Sequence, residues 1–252
     1  MPITVPGGGT VLKNSVFHTE VGRKPPEEKH QLLQVDFSCD FPDVPVLPET
    51  LLLLDIRMQE MSVDLAEISR LVLGDMGAAV QILRLAGREY GNAEGRPTRI
   101  EDCISDLGLV TCFGAVSAMT VSRDGGGHAI AETWAHSKQI AQHAKLVADE
   151  MPDVNPDEAY LAGLLHGIGL LPSILGWDWM ESPSDDSVAT GFRIAKQWSL
   201  PRCVMELFCE MHLAGYPVRW SGIVRTAHQR ADRSSIDCPF EYSIRPQLHR
   251  RG

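Results

Sequence analysis

The stretch that most constrains the fold is Ala159-Tyr160-Leu161-Ala162-Gly163-Leu164-Leu165-His166-Gly167-Ile168-Gly169. Just upstream, Asn155 can cap a helix, Pro156 suits its first position, and Asp157 and Glu158 face the positive end of its dipole. Leu161, Leu164 and Leu165 then recur at three- and four-residue spacing as a buried stripe, and Gly163 lets a neighbouring helix approach closely. The run predicts a core helix that delivers His166, at depth, to its own C-terminal end. An acid after that histidine would complete a two-residue metal motif, because imidazole and carboxylate together suit a divalent transition metal. The next residue is Gly167.

Around this helix the chain has 252 residues, enough to bury a core without staples. Its apolar share of 44% contains no unbroken run of the roughly 18 residues that a membrane span needs. The start, Thr4 to Gly9, lacks the basic and apolar regions of a signal peptide, so the expected location is the cytoplasm, with no membrane partner. A net charge of −10 argues against a chain that wraps nucleic acid. Cys39, Cys103, Cys112, Cys203, Cys209 and Cys238 form no Cys-x-x-Cys pair and read as reduced thiols.

In chain order, residues 1–45 read as an N-terminal arm, extended or disordered, in which Leu32 to Phe37 could form a short strand. From Pro48 amphipathic helices follow one another: Pro48 to Gln59, then a helix capped by Ser62 with Leu65, Ile68, Leu71 and Val72 on one face. A further helix runs from Ala78 to Gly87 or Tyr90. Thr98 to Glu101 has the form of a capping box, opening a helix that ends at Gly108. Leu109 to Val121 is apolar. Gly125-Gly126-Gly127 is the candidate hinge, and with no preceding strand and no following Lys-Ser/Thr it is a loop rather than a phosphate cradle. A helix from His128 to Glu150 carries its stripe on Ile130, Trp134, Ser137, Ala141, Ala144 and Ala148, with His136 on the shoulder. After His166, residues 177 to 186 form a polar loop with two exposed-looking tryptophans, Trp177 and Trp179. Helices then run from Val188 to Trp198, from Pro201 to His212 and from Arg219 to Ala231, and residues 233–252 are a tail.

This succession resembles the HDOD domain, a helical relative of the HD-domain metal phosphohydrolases found in bacterial signalling proteins. The resemblance covers roughly Pro48 to Asp232. It is carried by Ile82-Leu83-Arg84-Leu85-Ala86 with Tyr90-Gly91, Ile100 to Leu109, Trp134-Ala135-His136-Ser137, Leu161 to Gly169, and Trp198-Ser199-Leu200-Pro201. It implies an all-α, multi-helix bundle in two lobes: a domain over 46–232, with an N-terminal helical lobe at 46–122 and an HD-like lobe at 128–232.

In the catalytic relatives, histidines and aspartates hold one or two metals that activate water for phosphoester hydrolysis. By resemblance His136 and His166 occupy the first two histidine positions, and Gly167 stands where the paired aspartate would be. Ser187 stands near another histidine position, His212 occupies a later one, and His228 falls close to the distal aspartate. The missing carboxylates imply a non-catalytic regulatory domain with no cofactor, which binds a signalling protein or a small ligand in a cleft near Trp134, His166, Trp177 and Trp179. The alternative is a metal-dependent phosphohydrolase acting on a nucleotide or cyclic dinucleotide. In that case one divalent transition metal would be held among His136, His166, His212 and His228.

Overall fold

The computed structural model describes residues 41–91, 96–118, 127–177, 186–213 and 215–232. The arm up to residue 40, the glycines at 125 and 126, Trp179 and the tail from 233 lie outside the described residues. So do Cys39 and Cys238. Among the described residues every regular element is helical and no strand is present.

Eleven described α-helices make up the bundle: α1 (Pro48–Met58), α2 (Leu65–Leu73), α3 (Met76–Tyr90), α4 (Ile100–Leu107), α5 (Leu109–Ser117), α6 (Gly127–Asp149), α7 (Pro156–Leu165), α8 (Leu171–Leu175), α9 (Ser187–Gln197), α10 (Arg202–His212) and α11 (Trp220–Asp232). A single 3-10 turn, Ile168–Leu170, joins α7 to α8. Helices α2 to α5 pack on one another, α6 lies along α7, and α11 closes over both.

The long α6 buries the stripe its spacing predicts: Ile130, Trp134, Ser137, Ala141, Ala144 and Ala148 are all buried. Small residues at 141 and 144 bring α7 close. A Cβ at Gly163 would lie 2.7 Å from Ala141 Cα and 3.0 Å from Ala144 Cβ, so the two backbones nearly touch there. The Asn155 side chain accepts from Asp157 N at 2.9 Å, and Pro156 occupies the first turn, as the local sequence requires.

Two caps differ from expectation. Helix α2 begins at Leu65 with Asp64, not Ser62, accepting from Ala66 N at 2.9 Å; a carboxylate directly before the first turn also meets the dipole, and Ser62 lies too far upstream. Helix α4 begins at Ile100, which puts Arg99 rather than Thr98 at the cap position, with no side-chain cap. Glu101 meets the Arg99 guanidinium at 3.3 Å, in the place of the reciprocal bond of a capping box.

The described residues belong to one compact unit. Asp75, fully buried, caps α3 by accepting from Ala78 N at 3.2 Å. It also accepts from Leu47 N at 2.8 Å and from the Trp134 indole at 3.1 Å. Tyr160 Oη donates to Leu73 O at 3.1 Å. The Arg96 guanidinium donates to Leu83 O at 2.7 Å and Ser199 O at 2.5 Å. Phe41, Val44 and Val46 are buried, and a Cβ on Gly77 would collide with Pro45 O, so packed chain begins by residue 41.

Among the described residues one helical stretch, Pro156–Leu175, has the length and hydropathy of a membrane span, with 56% of its window buried. Here it is an interrupted core segment rather than one rod: Gly167 precedes the 3-10 turn, and Leu161, Leu164, Leu165, Ile168 and Leu171 are all buried. Cys103, Cys112 and Cys203 are buried free thiols, and Cys209 is partly buried.

Candidate functional site

Three helices each bring one imidazole to a single point. His136 comes from the shoulder of α6, His166 from the end of α7 and His228 from the third turn of α11. One ligating atom from each lies within 4.8 Å of the others. The ring centroids of His166 and His228 are 4.9 Å apart, those of His136 and His228 5.3 Å, and those of His136 and His166 5.6 Å.

The end of α7 sets the orientation of His166. Gly163 belongs to its last turn, where carbonyls run out of helical N–H partners, and its oxygen lies 2.6 Å from His166 Nδ1. A carbonyl only accepts, so Nδ1 carries the proton and Nε2 presents a lone pair. That Nε2 lies 3.2 Å from His228 Nε2.

Burial disfavours charge on all three rings. It pushes His166 down to about 3, helped by the neighbouring His228 and His136 and opposed by the Gly163 carbonyl. His228 falls to about 4 through burial and then His136, with Asp232 acting the other way. His136 is lowered by burial, again against Asp232. The cluster is therefore neutral at pH 7. Asp232, exposed and one turn beyond His228, is the acid whose charge reaches it, and it was not among the residues singled out from the sequence. Its spacing, four residues from His228 on one helix, was the available signal.

His212, the fourth sequence candidate, does not join the cluster. It ends α10 on the surface, with Nδ1 3.1 Å from Asp186 Oδ2. Asp186 also caps α9 by accepting from Val188 N and Ala189 N. Ser187 begins α9, where its carbonyl lies against Gly169; a Cβ there would be 1.8 Å from Ser187 O. Gly167 is different: a Cβ would meet nothing within 4 Å, and its φ of −95° suits any residue.

The expected tryptophan-lined cleft changes character. Trp134 is a core residue, 1% exposed, with its indole N–H spent on Asp75. Trp177, expected on the surface, is only 9% exposed. Its ring packs 6.1 Å from Phe41 and 6.5 Å from Trp198, and its backbone N–H closes the end of α8 on Pro172 O at 2.9 Å. The polar residues that follow it suggested exposure; the helix-end bond turns the ring inward before they begin.

The HDOD domain family model matches residues 44–176, more than half of the chain. The chain belongs to the HDOD domain family. The matched segment contains His136 and His166 and ends before α9, α10 and α11, which carry His212 and His228. Solved structures share the fold. The MmoQ response regulator of Methylococcus capsulatus is similar in two crystal structures: one at 19% identity and a TM-score of 0.60, covering 75% of this chain and 85% of that one, the other at 18% and 0.58, covering 77% and 87%. A virulence factor of Campylobacter jejuni is similar at 16% identity and a TM-score of 0.51, covering 81% of this chain and 78% of its own. No curated protein sequence matches.

The HD relatives imply a metal centre, and the donor set here fits part of that chemistry. Three imidazoles suit one ion of borderline softness such as zinc or nickel. They do not fit a two-metal centre, which needs a bridging carboxylate to hold the ions roughly 4 Å apart. Among the described residues the cluster contains no carboxylate.

Proposed function

We propose that this HDOD protein is a non-catalytic, cytoplasmic signalling domain of a bacterium, acting by binding a regulatory protein partner or a small ligand. The observation that carries the reading is the all-imidazole composition of the cluster, with glycine at 167. Phosphoester hydrolysis draws on metal-bound hydroxide and on charge stabilisation of both the attacking and leaving oxygens. Neutral imidazoles supply no bridge for a second ion and no negative charge to offset one.

Support for a protein partner comes from α1. It buries Thr50 and Leu54 but leaves Leu52, Leu53 and Ile56 at 60%, 43% and 48% exposure, an apolar group on one short helix. The rival reading, a metal-dependent phosphohydrolase acting on a nucleotide or cyclic dinucleotide, draws on His136, His166 and His228. Three histidines around one zinc ion are a donor set that water-activating catalytic sites use.

One experiment separates them. The full-length protein is assayed with manganese, nickel, zinc or cobalt against nucleoside monophosphates, cyclic dinucleotides and a chromogenic phosphodiester, beside the His166→Gln variant. The proposal expects no release of phosphate or alcohol above that of the variant; metal-dependent turnover that His166→Gln abolishes would establish the hydrolase instead.

A further inference from the structure

Nothing in helix packing asks for imidazoles where α6, α7 and α11 cross. Most neighbouring inward positions on these helices, Trp134, Ile140 and Ala141 on α6, Leu164 and Leu165 on α7 and Val224, Ala227 and Ala231 on α11, are apolar and buried, with Thr133 and Ser137 the buried polar ones on α6. Three polar rings converging at one point in that company offer one partner three donor atoms.

The proton arithmetic narrows what the partner is. His166 gives its only proton to Gly163 O, which leaves a lone pair on Nε2 facing His228 Nε2 at 3.2 Å. Two lone pairs at that separation repel unless a proton or a cation stands between them. A proton on His228 answers this one pair. A metal ion engages all three rings, since the ligating nitrogen of His136 lies within the same 4.8 Å circle.

The spacing suits such an ion. Zinc–nitrogen bonds of about 2.0–2.1 Å place neighbouring tetrahedral donors roughly 3.3 Å apart. The His166–His228 pair is at that separation already, and modest ring rotations bring the third donor in. The Gly163 carbonyl plays the part that outer partners play at metal-bound histidines, holding tautomer and ring orientation. Asp232, one turn beyond His228, supplies negative charge from the rim.

We propose that His136, His166 and His228 together bind a single divalent ion of the zinc, cobalt or nickel class, and that this ion fastens α11 onto α6 and α7. His228 is the residue that makes the site: it supplies a third imidazole from outside the matched family segment, where the resemblance placed an aspartate. The proposal does not depend on the absence of catalysis. An ion bound without turnover upholds both readings, and an ion bound with turnover upholds this one alone.

The test uses untagged full-length protein stripped with a chelator. It is titrated with cobalt, followed by visible absorption, and with zinc, followed by competition against a chromophoric chelator. The expected result is one equivalent per chain, a melting temperature that rises with zinc, and affinity weakened beyond the roughly 10–100-fold typical of losing an outer partner in both His166→Gln and His228→Gln. His212→Gln, which alters a histidine outside the cluster, should bind as the parent does. Circular dichroism of the stripped variants checks their fold, and His136→Asn replaces either glutamine variant that fails it. No saturable binding, or undiminished stoichiometric binding in the folded cluster variants, overturns the proposal.

Discussion

Burial that keeps His136, His166 and His228 neutral makes the fold sensitive to acid. Each has a folded pKa below the ordinary value near 6.5, to about 3 for His166 and about 4 for His228, so the unfolded chain binds more protons than the folded one between those limits. Their contribution is undiminished above roughly pH 6.5 and is lost as pH falls toward 4. The loss has an upper bound of about 1.4 kcal/mol per pH unit for each ring, reduced because solvent reaches part of all three. Urea unfolding of metal-free protein at pH 7.5, 6.0 and 5.0 should show the midpoint falling, with a shallower fall in His166→Gln; a flat profile would mean the rings are solvated. Gly167 offers a second residue-scale test. Its ordinary φ and open surroundings admit a side chain without strain, so Gly167→Asp should fold with a stability within about 1 kcal/mol of the parent. It should also tighten zinc binding at least tenfold by adding a carboxylate beside His166, read by the same chelator competition.

At the scale of the elements, the α6–α7 contact is the tightest constraint on the site, because it sets the distance between His136 and His166. Gly163→Val would drive a branched side chain into the Ala141 backbone, 2.7 Å from even a bare Cβ, and no flexible neighbour can yield. The expected cost is about 2–4 kcal/mol by chemical denaturation, whereas Gly167→Val, in open space, should cost less than about 1 kcal/mol. This contact was legible in the sequence, as were the α6 stripe and the Asn155 cap, since each depends on residues within one helix or on a repeating spacing. Convergence of His136, His166 and His228 was legible only through the family resemblance, which fixes the order of the helices. Asp75 was not legible at all: two of its partners, Leu47 and Trp134, lie 28 and 59 residues away, and no local pattern marks a carboxylate that will be buried among them. Trp177 misled for the same reason, because its pocket is made by Phe41 and Trp198, one from each side of the chain.

Across the whole molecule, the two lobes read from the sequence are tied by buried and half-buried polar bonds as well as by packing, which predicts how the protein unfolds. Asp75 joins the start of α3 to α6, Tyr160 joins α7 to the end of α2, and Arg96 joins α3 to the turn before α10. The last is the most exacting, because a guanidinium that burial lowers in pKa must be repaid by acceptors, and it finds the carbonyls of Leu83, Gly91 and Ser199. Ser199 holds a left-handed φ of 49° because it ends α9, with Ser199 N–H donating to Lys196 O and Leu200 N–H to Ala195 O, and from that position it presents its carbonyl to Arg96. Arg96→Met keeps much of the stem but deserts those carbonyls, and should cost about 2–3 kcal/mol. The parent should unfold in one transition, with fluorescence of its five tryptophans, Trp134 and Trp198 at the join among them, and far-UV circular dichroism, which reports all helices, giving the same midpoint. In Arg96→Met the two midpoints should fall together. If fluorescence is lost first while most of the helical signal persists, the lobes are separate folding units and the buried bonds between them are not what makes the molecule one.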